Sequence, residues 1–223
     1  MAISKRLKTI AKYIEGYKSL ADIACDHGYL GIYAVEKYGL NRVLLTDINP
    51  MPLASAINNC KSKNLDNIIS CKLGDGLAPL EGDYDVISIS GIGGMLLKDI
   101  LSKDISKCQK AKRLILCPNT DLYEVRNFLN DNLFVIEAEE MIFEHKYYEI
   151  IVAHYVGEKQ NYSELELKYG PILLRNKSNE FVNHYNEQIS LFEKQLHFIN
   201  DSVSKEKISS KIYEIKTILG NKL

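Results

Sequence analysis

Leu20-Ala-Asp-Ile-Ala-Cys-Asp-His-Gly-Tyr-Leu-Gly31 is the stretch whose reading decides the fold. An apolar strand runs to Ala24, small and polar residues interrupt it, and a helical pattern begins at Tyr29. A second apolar strand, Val43-Leu-Leu-Thr-Asp-Ile48, follows and ends in an acid, Asp47, about 20 residues after the turn. Strand, small-residue turn, helix and a strand closed by a carboxylate make the nucleotide-binding half of a Rossmann-like sheet. The turn brings bare backbone to a ligand, and the acid can hold ribose hydroxyls.

Working outward, residues 3–15 place Ile3, Leu7, Ile10, Ala11 and Ile14 at helical spacing with Lys and Arg between them, an amphipathic lead helix. Strands are expected at 20–25, 43–48, 68–73, 85–90 and 113–117, with helices at 29–39, from Pro50 to Asn64, from Gly94 to 101, and at 121–131. This reads as five alternating strand–helix units. Leu133–Phe143 and Tyr147–Tyr155 are then two strand-like runs with too short a link for a crossover helix, so they pair antiparallel. A mostly parallel sheet with one reversed strand is an α/β, Rossmann-like sheet of the class I methyltransferase kind. After Gly157 the chain becomes polar and helical. Gly170-Pro171 breaks a short helix, and Phe181, Tyr185, Ile189, Phe192, Leu196, Ile199 and Val203 follow at near-heptad spacing. With Asn200-Asp-Ser202 as a turn and a second stripe at Ile208, Ile212, Ile215 and Leu219, the tail is expected to be a coiled-coil-like helical hairpin. The expected domains are therefore 1–157 and 158–223.

Bulk properties narrow the setting. A chain of 223 residues, 46% hydrophobic and 26% charged, is long enough for a sizeable core. There is no membrane-length apolar run and no apolar leader, so no membrane partner is expected. Five scattered cysteines without a Cys-x-x-Cys pair read as reduced thiols in a cytoplasmic protein, with no metal site. Net charge is −1, yet residues 1–20 carry a local +4 and residues 159–223 a local +2, leaving the acidic excess in the middle. A polyanion would meet the lead helix or the tail. Solvated helix faces would give the same charge pattern.

In a dinucleotide turn, glycines let a pyrophosphate touch the helix N-terminus. Here the matching positions are Ala24, Asp26 and Gly28, and the Asp26 carboxylate repels phosphate. S-adenosylmethionine carries no phosphate but an amino acid end and a sulfonium, so the turn favours it over NAD. Asp47 suits ribose hydroxyls, and also a turn acid before Pro50. Gly74-Asp75-Gly76 can offer an acceptor to an adenine amino group, and is equally an ordinary turn. Ser90-Gly-Ile-Gly-Gly94 gives a backbone-lined floor at the fourth strand's tip. Pro118-Asn119 adds a side chain able to read a base edge.

Asp22-Ile-Ala-Cys-Asp26-His27-Gly-Tyr29-Leu, Ser90-Gly-Ile-Gly-Gly94, Leu116-Cys-Pro118-Asn119 and Tyr148-Glu149-Ile-Ile together resemble the bacterial tRNA (adenine-22-N1)-methyltransferase family, and the resemblance spans essentially the whole chain. The family pattern has Gly at 24, a small residue such as Ala at 28, Glu at 47 and Gln at 117. The resemblance implies methyl transfer from S-adenosylmethionine to N1 of adenine 22 in tRNA. It implies donor contacts from Asp22, Ala24, Asp26, Gly28, Asp47, Ile48, Asp75, Gly76, Gly91 and Gly93. Under it Asp26 stabilises the cationic product base, and His27, Tyr29 and Asn119 orient that base. The expected tRNA grips are Lys5, Arg6 and Lys8 with the helical tail, in a monomer. A small-molecule methyltransferase and a non-catalytic RNA-binding module of the same fold are the competing expectations.

Overall fold

The computed structural model describes residues 3–220, so positions 221–223 of the expected tail lie outside the described residues. The elements are α1 (Lys5–Lys12), β1 (Ser19–Ile23), α2 (Tyr29–Tyr38), β2 (Arg42–Asp47), α3 (Pro50–Ser62), β3 (Ile69–Leu73), β4 (Val86–Ser90), α4 (Gly94–Lys103), α5 (Ile105–Lys110), β5 (Arg113–Cys117), α6 (Leu122–Asp131), β6 (Phe134–Glu144), β7 (Lys146–Tyr155), α7 (Glu164–Tyr169), α8 (Pro171–Asn176), α9 (Asn179–Leu196) and α10 (Ser202–Leu219). Seven strands form one sheet in the order β3-β2-β1-β4-β5-β7-β6. β1 to β5 run parallel, and β7 is antiparallel to both of its neighbours.

The inner strands are buried on both faces, which is why they read as continuous apolar runs rather than alternating ones. Ile10, Leu30, Val35, Val43, Leu45 and Ala56 fill one side, under α1, α2 and α3. Ile23, Leu44, Ile89, Leu97, Leu101, Val125 and Leu129 fill the other, under α4 and α6. Pro50 opens α3, where its missing N–H costs nothing.

The structure corrects three expectations. No helix joins β3 to β4, so the units are not five alternating strand–helix pairs. Residues 74–85 instead cross over β2 and β1 as turns, and Leu77, Leu80 and Tyr84 bury themselves where a helix would pack. The short α5 was not foreseen; six residues carry too little periodicity to register. Finally, the near-heptad stripe does not extend to Val203, which is exposed in the first turn of α10. The helix ends at Leu196 and the turn resets the register. The tail's buried seam is Phe181, Tyr185, Ile189, Ile212, Ile215 and Ile218, closed over Met141 of β6.

α1 is clasped to the far end of the chain. Glu144, at the tip of the β6–β7 hairpin, accepts from the backbone N–H of Arg6 (3.2 Å) and of Lys5, while Ser4 caps Leu7. Burial pushes the Glu144 carboxyl up, but these hydrogen bonds outweigh it and hold it below the usual range. Glu140 accepts from Lys12 (3.1 Å) and from the Tyr13 hydroxyl (3.2 Å). Burial, with Glu140 beside it, pushes Tyr13 up to about 12.

Candidate active site

The C-terminal ends of β1, β2 and β4 open into a cleft of about 460 Å³. It lies where the sheet order reverses between β1 and β4, the place where open α/β sheets take ligands. Its first wall is the turn after β1. There Ala24 (φ 57°), Asp26 (φ 52°) and Gly28 (φ 72°) alternate in left-handed conformation. A Cβ on Gly28 would lie 2.7 Å from Leu45 Cδ1, so the glycine lets α2 sit directly on β2. Ala24 holds a conformation that costs an L-residue roughly 1–2 kcal/mol. The turn exposes the Asp26 carboxylate at the mouth, 3.4 Å from His27 Nε2. The His27 ring stacks on Tyr29 at 5.3 Å between centroids. Three of the expected catalytic side chains thus stand together.

Asp47 forms the second wall. It is buried, and its two oxygens accept from the backbone N–H of Asp26 (3.3 Å) and of Asn49 (2.8 Å). Beyond it Ile48 is 62% exposed, a bare apolar face on which an adenine ring can lie. Gly76 lines the same end, and the Asp75 carboxylate there pairs with Lys103 at 2.7 Å. The floor is Ser90 and Gly91, the latter at φ 85°. Asn119 donates to the Gly91 carbonyl (2.6 Å) and accepts from Lys146 (3.4 Å). Asn119 and Gly93 stand behind the floor, not in the wall. Gly93 is the N-cap of α4.

Two features lie deeper. Asp22, on β1 opposite Ser88 of β4, is almost fully buried and lines the cleft. Burial drives its carboxyl up to about 7, against opposing pulls from Arg6 and Ser88 and with a further push from Asp47. Arg6 is not on the outer face with Lys5 and Lys8. Its guanidinium turns inward over the Tyr148 ring (5.2 Å) and lines the cleft beside Gly91. A basic residue in an amphipathic helix reads as solvated, and the sequence held no sign that this one turns inward. Lys146, also over Tyr148 (4.8 Å), is a second residue that sequence reasoning missed.

Asp22 makes a pH prediction. Its folded pKa lies above the ordinary 3.8, so the folded state holds the proton longer and stability falls as pH rises from about 4 to about 7. Asp22→Asn should remove this slope, gaining up to ~4 kcal/mol on the unliganded wild type across that window. Urea unfolding at several pH values checks it; parallel stability curves for the two proteins would refute it.

This sheet order, with the reversed β7 and a cleft whose residues suit a sugar, an adenine and a phosphate-free zwitterion, defines a class I S-adenosylmethionine-dependent methyltransferase. The model of the tRNA (adenine(22)-N(1))-methyltransferase family, TrmK, matches residues 20–222, and the chain belongs to that family. It is 30% identical to the tRNA (adenine(22)-N(1))-methyltransferase of Bacillus subtilis, over 96% of this chain and 93% of that one. Among solved structures it resembles Streptococcus pneumoniae Sp1610 in complex with S-adenosyl-L-methionine, with 31% identity, a TM-score of 0.89 and coverage of 98% and 100% of the two chains. It also resembles M. capricolum TrmK in complex with S-adenosyl-homocysteine, with 28% identity, a TM-score of 0.86 and 99% of each chain covered. Among the described residues no helix is long and apolar enough to cross a membrane, and no cluster of three or more His, Cys, Asp or Glu is placed to hold a metal.

Proposed function

We propose that this chain transfers the methyl group of S-adenosylmethionine to N1 of adenine 22 in tRNA by the following division of labour. The observation that carries the reading is the cleft at the strand switch point, with Asp47 at one end and Asp26, His27 and Tyr29 at its mouth, in a chain of this family. The bound donor supplies an electrophilic methyl on a sulfonium. Asp47 takes the ribose hydroxyls, Ile48 and Gly76 the adenine, and the backbone of Ala24, Gly28 and Gly91 the narrow middle. Asp22 and Asp75 complete the donor set, and Gly93 fixes the floor. Most of the rate then comes from positioning, because the N1 lone pair needs no base. The product adenine is cationic, and the exposed Asp26 carboxylate is placed to stabilise that charge as it develops. His27 and Tyr29 offer a stacked aromatic platform for the base, and Asn119 holds the floor's carbonyl in place. N1 lies on the pairing edge, so the adenine must be unpaired or flipped out.

Residues 1–157 carry the chemistry, and residues 158–223 with Lys5 and Lys8 grip the tRNA. The described cysteines are free thiols, and the proposed tRNA substrate puts the reaction in the cytoplasm.

The test is labelled methyl transfer to an unmodified tRNA transcript and to one with adenine 22 changed to guanine. Label in the first alone is expected. Label in both would move the target, and label in neither, with donor binding intact, would favour a small-molecule acceptor. Asp26→Ala is expected to lower kcat about 100-fold; full donor binding with full turnover would remove Asp26 from the chemistry. Reversing Lys5 and Lys8 to Glu should weaken tRNA binding and flatten its log–log salt dependence by about 2. Unchanged affinity across a salt series would end the lead-helix grip.

A further inference from the structure

The β6–β7 hairpin outruns the sheet. β7 pairs with β5 as far as Leu116↔Ile151, while its pairing with β6 continues through five more residue pairs to Glu144↔Lys146. At the usual strand rise that is roughly 17 Å of ribbon beyond the last pair with β5. It stands at the same end of the sheet as the cleft. A lone two-stranded ribbon is marginal in water, and this one is tied on three sides. Glu144 holds the start of α1. Lys146 donates to Asn119, which donates to the Gly91 carbonyl of the cleft floor. Tyr147 lies against His184 of α9 (4.5 Å between centroids) and donates to Glu187 (2.9 Å). What the ties leave bare is Phe143. Its ring leans on Tyr147 (4.9 Å) and is 50% exposed, with exposed His145 and Lys146 close by in the chain. Lys5, to which the proposed function gives an RNA contact, reaches the Phe143 carbonyl (3.4 Å). The nearby carboxylates are engaged: Glu144 by α1, Glu187 by Tyr147 and Glu180 by Lys5 at 3.9 Å. A half-bare aromatic ring on a braced arm, beside cations, has the composition of a base-stacking platform.

We propose that Phe143 stacks on the tRNA base next to the target adenine, replacing the neighbour that leaves when the adenine enters the cleft. The proposal rests on the reading of the chain as an adenine-22 methyltransferase. N1 lies on the pairing edge, so the adenine leaves its stack to react and the bases beside it lose a partner. An aromatic side chain that supplies a new face offsets that loss. It is indifferent to which base it meets, because every base has a π-face. The hairpin tip joins the cleft floor to α9, so a strand running from the cleft toward the tail passes the ring. Phe143 itself stands outside the cleft wall, so it acts on the RNA and not on the donor.

The test compares wild type, Phe143→Ala and Phe143→Trp on tRNAs annealed from two pieces. These carry adenine 22 with both neighbours intact, or with an abasic nucleotide on one side or the other. The readout is kcat/KM for tRNA at saturating S-adenosylmethionine. On the intact tRNA Phe143→Ala should lose about 10- to 100-fold, the range for one base–aromatic stack, and Phe143→Trp should stay within about threefold of wild type. An abasic nucleotide on one of the two sides should cost wild type a comparable factor. It should cost Phe143→Ala less than about threefold, because that stack is already gone. Calorimetric affinity for S-adenosylmethionine should be the same for all three proteins. Full activity of Phe143→Ala would overturn the inference, as would losses that multiply with both abasic tRNAs. A fall in donor affinity that matches the fall in activity would also overturn it, by making Phe143 a structural residue of the tip. Wild type that labels no tRNA at all would instead refute the underlying reading, and this inference with it.

Discussion

Arg126→Met is expected to destabilise the protein by about 3–5 kcal/mol, the cost of leaving buried carboxylates without their cation. Arg126 is fully buried on α6. Its Nε donates to Glu139 (2.7 Å), one Nη to Glu149, and the other to the carbonyls of Leu167 (3.4 Å) and Lys168 (3.3 Å). Glu139 in turn accepts from the N–H of Ile172 (2.8 Å) and Leu173 (3.3 Å) at the start of α8. One side chain therefore ties α6, the β6–β7 hairpin, α7 and α8. Burial works against the Arg126 charge, but Glu149 and Glu139 outweigh it and hold the guanidinium protonated. Burial already raises the Glu149 carboxyl, and Arg126 is what pulls it back; without Arg126 it would rise further above its unfolded value, so the deficit grows as pH rises. Urea unfolding at pH 5.5 and pH 8 should show the larger loss at pH 8. A deficit under about 1 kcal/mol at both would mean the triad contributes little. Replacing all three residues by apolar ones of similar volume should recover much of the loss.

The second large effect falls on Asp47. Asp47→Ala should weaken donor binding by about 100-fold, close to 2.7 kcal/mol. The change removes the acceptor proposed for the ribose hydroxyls and frees the backbone of Asp26 and Asn49, which its carboxylate now holds. Hydrogen bonds to a charged acceptor contribute roughly 1.5–3 kcal/mol each, so losing two ribose contacts is enough to account for the figure. Asp47→Glu, the residue the family pattern has here, should keep donor affinity within about tenfold. Calorimetry on the three proteins decides it; an alanine variant with wild-type affinity would remove Asp47 from the donor site.

Much of the sheet was legible because its cause is local. Buried parallel strands must be apolar, Pro50 marks a helix start, and a link as short as residues 144–146 leaves room only for a hairpin. The site was legible where chemistry is tied to a strand tip: Asp47, the turn at Asp26-His27-Gly28, and the floor at Gly91. What could not be read depends on distant partners. Arg6 turns inward because Glu144, 138 residues away, orients the helix that carries it. Arg126 and Glu139 look like surface charges until α7 and α8 cover them. The left-handed Ala24 left no mark either, because alanine has no preference for that conformation; only the family's glycine hints at it. The path from β3 to β4 was counted within an alternating strand–helix unit although no helical period was read there; three buried side chains at Leu77, Leu80 and Tyr84 take the place of the helix.

The clasp between α1 and the hairpin tip sets an order on biogenesis. A ribosome makes the lead helix first; Glu140 follows Lys12 by 128 residues and Glu144 follows Arg6 by 138, and each emerges correspondingly later. Until then α1 has no anchor, Arg6 has no seat over Tyr148, and the cleft lacks one wall. A nascent chain stalled before residue 140 should hold the first half of the sheet without retaining the donor. Methylation competence would then arrive late in synthesis, in a single step, when the hairpin closes on the helix that left the tunnel first.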